Sequence, residues 1–190
     1  MTTNRQKSFI ATLELDNRHV EFLQTLHGNP AIRFDTFASG GFYTGTPTTR
    51  NDSHLLGSRA QEETKDIPPL TLYFRCADDY YTLYIRSHGP YTGHCISKDS
   101  AGVLGAFLPA GSDTTSFNIL GSQNNTMTLE DMPNDIHRVR LKARHSGHIG
   151  GLRRKGAPYS YLAETEEQGV VFKLRIIERN ASFLSNPNEI

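Results

Sequence analysis

The chain has no tryptophan, only two cysteines and, between residues 137 and 155, no acid. Each absence narrows the reading. Cys76 and Cys95 make no Cys-x-x-Cys pair, which argues against a zinc site or a disulfide framework and for two part-buried free thiols. No stretch approaches the roughly 18 apolar residues of a membrane helix, so no membrane span is expected. The opening MTTNRQKSFIATLELD lacks the apolar core and cleavage site of a signal peptide. The expected setting is therefore soluble and cytoplasmic, with leaderless secretion the exception. The Asn-x-Ser/Thr triplets at Asn51, Asn124 and Asn180 are then accidental. No Gly-rich phosphate loop, His-Glu-x-x-His or Gly-x-Ser-x-Gly motif is present. His94 and Cys95 are adjacent, and on a strand adjacent side chains point to opposite faces, which disfavours thiol catalysis. The expectation is a protein that is not an enzyme, with no cofactor and no metal site.

What is there is a chain of 190 residues, enough for one domain with a real core, or at most one domain with an extension. Its 20 basic and 20 acidic residues balance to zero. Attraction to nucleic acid or membrane is then not a property of the whole molecule and must come from a local patch. Apolar residues come in short alternating bursts separated by Gly, Asn, Asp and Pro, the style of an all-β sandwich or barrel.

The bursts repeat. GFYTG at 41–45 and GPYTG at 89–93 align Tyr43 with Tyr91, 48 residues apart. Leu56 in HLLGSRA and Leu104 in GVLGAFL keep the same offset of 48. A third copy places Ile149 of GHIGG and Leu162 of YSYLAET 58 residues beyond the second pair. An alternating run precedes each turn (IRFDTFA, YTLYIRS, HRVRLKA), and another follows each leucine (LTLYFRC, SFNILGS, VFKLRII). Each copy reads as four short strands, which predicts equivalent core positions for Tyr43, Tyr91 and Ile149. The same holds for Leu56, Leu104 and Leu162.

Three repeats of four strands resemble the β-trefoil. The runs LYIRSHGPYTG and VRLKARHSGHIGG look most like its fascin-like group. The resemblance implies a single all-β trefoil over residues 31–190, with repeats near 31–79, 80–135 and 136–180. Residues 1–30 then read as an N-terminal hairpin extension turning at Asp16-Asn17, and TMTLEDM reads as an extra strand. The group implies actin or another cytoskeletal partner. Ricin-type lectins use a repeated Gln-x-Trp, which a chain without tryptophan cannot supply. Any aromatic stacking falls to Tyr80, Tyr81, Tyr159 or Tyr161.

The most uneven stretch is HRVRLKARHSGHIGGLRRK, residues 137–155, with seven basic side chains and three histidines. Alternation puts Arg138, Arg140, Lys142 and Arg144 on one face of a strand. Gly147 folds the chain back toward Arg153, Arg154 and Lys155. With His145 and His148 these form the candidate ligand-binding set. They suit a sulfated sugar, a phosphate or an acidic protein surface. Opposed to this is a solvated face paired with Glu164, Glu166 and Glu167. His88 and His94 flank one turn and His145 and His148 another, which fits a weak pH response. Nucleic acid is not the expected partner, as there is no RNA-binding motif. The expected function is non-catalytic binding of a protein or glycan surface. The alternatives are a lectin of non-ricin type, a protease inhibitor, and a leaderless toxin or cytokine-like ligand. The oligomeric state is not legible in the sequence.

Overall fold

The computed structural model describes residues 2–35 and 48–182. The first stretch of chain gives β1 (Phe9–Glu14), β2 (Arg18–Phe22), α1 (Leu23–His27), β3 (Ile32–Asp35), β4 (Thr48–Asn51), β5 (Leu56–Ala60) and β6 (Thr71–Ala77). The second gives β7 (Tyr80–Ile85), β8 (Cys95–Lys98), β9 (Leu104–Phe107), β10 (Ser116–Leu120) and the short β11 (Thr126–Met127). The third gives β12 (Ile136–Ala143), β13 (His148–Arg153), β14 (Ser160–Thr165) and β15 (Phe172–Arg179).

Period-2 alternation builds the core. Phe9, Ala11 and Leu13 of β1 point inward, as do Leu72, Phe74 and Cys76 of β6 and Tyr81, Leu83 and Ile85 of β7. Phe117 and Ile119 of β10 join them, with Val139, Leu141 and Ala143 of β12 and Phe172, Leu174 and Ile176 of β15. These six strands pair in a ring: β1 with β6, β6 with β7, β7 with β10, β10 with β12, β12 with β15, and β15 with β1. The protein is thus an all-β fold around a closed six-stranded barrel. Closure leaves these strands no free edge.

Outer hairpins join successive barrel strands. They are β2 with β5, β8 with β9, and β13 with β14. The order of barrel strand, hairpin, barrel strand therefore recurs three times. The hairpins touch one another in a cycle through single bridges, Leu55 to Gly105, Val103 to Ala163 and Tyr161 to Gly57. Each bridge joins the residue before one landmark leucine to the residue after the next. Leu56, Leu104 and Leu162 are buried, at 2%, 1% and 0% exposure, in the same core cluster. The small residue after each leucine has a physical reason. A Cβ on Gly57 would lie 2.5 Å from the Ser160 carbonyl oxygen and 2.5 Å from Leu23 Cδ2.

The first repeat differs from its expectation. β3 of IRFD pairs only with β4 in a separate two-stranded sheet and is not a barrel strand. The barrel strand of that unit is β1, which lies between β6 and β15. Residues 9–14 are thus built into the barrel and are not an added extension. Leu15 and Arg18 do bridge across the Asp16-Asn17 turn, but β2 then leaves β1 to pair with β5. Helix α1 and the β3–β4 hairpin are inserted between β2 and β5. Leu23 and Leu26 of α1 pack with Leu55, Val103 and Tyr161 in a second core cluster beneath the hairpins.

The aromatic landmarks also move. Tyr43 lies outside the described residues. Strand register, counted back from the landmark leucines, makes Ile149 equivalent to Ile96 and Val20, all buried in the core. Tyr91 lies five residues before Ile96, is half-buried, and packs edge-on against Phe22 with ring centroids 4.8 Å apart. The tyrosine turn is not the structural counterpart of the Ile149 turn. TMTLEDM yields the two residues of β11 and then a 3-10 turn over Leu129–Asp131.

Candidate functional site

The basic stretch divides between two places. On β12, Val139, Leu141 and Ala143 are buried, and Arg138, Arg140 and Lys142 alternate onto the outer wall of the barrel. Arg144 follows on the same face, with its guanidinium 3.8 Å from the centroid of the Tyr80 ring. The chain turns through His145, which holds a left-handed φ of 60°, and Gly147. Only one pair, Lys142 with His148, joins β12 to β13. Strand β13 then leaves to pair with β14, so Arg153, Arg154 and Lys155 sit at the far tip of that hairpin. There Arg154 lies 5.1 Å from the Tyr161 ring centroid, and Gly156 approaches the Phe34 carbonyl oxygen. The expected single patch of nine residues is therefore two groups.

On the barrel wall, Lys142, Arg144, His145 and His148 converge on one cleft of about 510 Å³, with Asn118, Asn124 and Thr126 along it. Its one acid is Asp79. Arg138 lies outside the cleft, its Nη2 2.6 Å from Asp16 Oδ1. Arg140 is half-buried beside Leu120, and its Nε has no hydrogen-bond acceptor among the described residues. Lys142 and His148 also line a neighbouring cleft that holds Glu164 and Glu166. Glu164 accepts from Lys98 Nζ at 2.7 Å and also from Ser146 Oγ and the Gly147 N–H. Those bonds, led by Lys98, hold its carboxyl down at about 2. Among the described residues, neither Glu166 nor Glu167 forms an ion pair with the β12 cations.

At the hairpin tip Arg154 Nη1 is buried with no hydrogen-bond acceptor among the described residues, while Arg33 and Arg50 beside it share one buried carboxylate. Asp52 is fully buried and accepts from the Tyr161 hydroxyl at 2.7 Å. Arg33 Nε and Arg50 Nε stand 3.8 and 3.7 Å from its oxygens, and Arg50 also reaches Asp99 at 3.4 Å. Burial, with the Asp52 bond, pushes the Tyr161 hydroxyl up. This cluster ties β3 and β4 to β14 and reads as a structural clamp.

Cys76 and Cys95 are buried and form no disulfide; the Cys76 thiol donates to the Asp78 carbonyl oxygen at 3.5 Å, and burial pushes both thiols up, Cys95 to about 12. Among the described residues no group of three His, Cys, Asp or Glu side chains is placed to hold a metal ion. No helix of the described residues is long and apolar enough to cross a membrane.

A second concave site lies on β2. Strand β2 turns Val20 and Phe22 into the core and Glu21 to the opposite face. There Glu21 is only 4% exposed and shares a cavity with Pro68 and Pro69. It lines a cup of about 380 Å³ walled by Phe22, Ile85, Pro90 and Tyr91. Burial raises its carboxyl to about 7, opposed by one hydrogen bond from the Phe22 N–H at 2.9 Å. Nothing local in HVEFL signals this, since the other walls come from residues distant in sequence.

No protein-family model, no curated protein and no solved structure matches the chain.

Proposed function

We propose that this chain is a β-trefoil that acts as a non-catalytic binding domain, holding an acidic glycan on the outer wall of β12. The trefoil reading is supported by the closed six-stranded barrel, the three stave–hairpin–stave units and the cyclic bridges among the hairpins. The fascin-like resemblance belongs to the same proposal, and filament co-sedimentation is its check.

The observation that carries the binding reading is the convergence of Lys142, Arg144, His145 and His148 on one cleft with a single acid. Cations at such a site make charge-assisted hydrogen bonds to sulfate or carboxylate groups. Asn118 and Asn124 add neutral donors suited to sugar hydroxyls. A polar cleft suits an oligosaccharide better than a protein face that engages through an apolar centre.

The test is a glycan array that includes sulfated and carboxylated sugars, read at two salt concentrations. The expected result is a specific acidic hit that weakens as salt rises. Lys142→Glu with Arg144→Glu should abolish it while circular dichroism stays unchanged. A blank array, or binding that survives the double substitution, contradicts the reading.

A further inference from the structure

The cup around Glu21 is independent of the basic wall and has its own chemistry. Its carboxyl has one hydrogen bond, from the Phe22 N–H, and no ion pair among the described residues. A buried carboxylate without a counter-charge is costly, so such groups are normally paired. The charged neighbours do not fill this role. On the same strand, His19 turns its Nε2 to the Pro68 carbonyl oxygen at 3.1 Å and stands 3.9 Å from Glu14. Across the cup, Arg86 and His88 lie on the loop after β7, and neither forms an ion pair with Glu21. Tyr91 is engaged with Gln24 Oε1 at 3.3 Å. The paired strand β5 offers only Gly57 opposite Glu21.

The space matches a small ligand. Its volume of about 380 Å³ falls within the roughly 300–1,000 Å³ of small-molecule sites. Phe22, Pro68, Pro69, Ile85, Pro90 and Tyr91 give it a largely apolar wall. A hydrated inorganic cation would lose its water against that wall for a single carboxylate ligand. An anion would meet Glu21. A neutral alcohol would leave the buried charge uncompensated.

We propose that this cup binds a small organic ammonium ion, a primary amine on an apolar body, with Glu21 as its counter-ion. The ammonium donates to the free Glu21 oxygen while its hydrocarbon part lies on the proline and aromatic wall. Binding requires the ionised carboxyl, so a proton leaves Glu21 when the amine enters near neutral pH.

Titration of the full chain with benzylamine and with benzyl alcohol, followed by calorimetry at pH 6 and pH 8, tests this. Benzylamine should saturate one site and bind about tenfold tighter at pH 8 than at pH 6, as Glu21 ionises. Benzyl alcohol should bind at least tenfold more weakly than the amine at pH 8. Glu21→Gln should lose the amine by tenfold or more and flatten the pH dependence. Thr25→Trp, which fills the mouth and keeps Glu21, should block binding in a second way. The proposal is overturned by equal binding of alcohol and amine, by unchanged amine affinity in Glu21→Gln, or by no saturable amine binding to the parent chain.

Discussion

Burial lifts the Glu21 carboxyl to about 7, whereas Lys98, Ser146 and the Gly147 N–H draw that of Glu164 down to about 2, both from an ordinary 4.5. The signs of their pH effects are opposite. The folded state holds the Glu21 proton more tightly than the unfolded chain does. Its contribution is fully present below about pH 4.5 and is lost as pH rises through about 7. Glu21→Gln should therefore gain stability over the parent across that window, on the order of 3 kcal/mol by pH 8. Urea unfolding at several pH values checks it, and parallel curves would contradict it. Glu164 contributes above about pH 4.5, and its contribution is lost as pH falls toward about 2. Glu164→Gln should thus weaken the fold at pH 7 and match the parent near pH 2. Neither environment is legible locally: Pro68 and Pro69, which share the Glu21 cavity, and Lys98, the partner of Glu164, lie far away in sequence.

Elements, by contrast, show themselves wherever alternation is unbroken. The face of β12 is legible because Val139, Leu141 and Ala143 alternate with Arg138, Arg140 and Lys142, and a strand has only two sides. The joining of Arg153, Arg154 and Lys155 to that face is not. It depends on how soon β13 leaves β12, which happens after a single pair. The first unit misleads for a related reason. An inserted helix and hairpin separate β2 from β5, so a repeat counted by residue spacing begins too late. Close packing between hairpins sets a prediction at this scale. Gly57→Ala places a methyl group 2.5 Å from the Ser160 carbonyl oxygen. It should cost about 1–3 kcal/mol, the range for overpacking. An unchanged melting temperature would contradict the close approach of β5 and β14.

At the scale of the molecule, closure couples the ends of the chain. Strand β1 completes the ring only by joining β6 and β15, partners that lie far away in sequence. No local pattern reveals that, and it is why residues 9–14 read as an appendage. Ser8 helps to hold the seam: its hydroxyl accepts from the Cys76 N–H at 2.9 Å, and its carbonyl accepts from the Ala181 N–H at 2.8 Å. The three landmark leucines share one core, so Leu56→Ala, Leu104→Ala and Leu162→Ala should each cost about 2–5 kcal/mol in denaturant unfolding. One near-neutral member would break the equivalence.

The central claim, an acidic glycan on the β12 wall, is tested most directly by following backbone amide shifts during titration with a sulfated tetrasaccharide at low salt. The account predicts shifts concentrated on Asn118, Asn124, Lys142, Arg144, His145 and His148 around the cleft. Shifts centred instead on Arg153, Arg154 and Lys155 at the hairpin tip, or no saturable shifts at all, would contradict it.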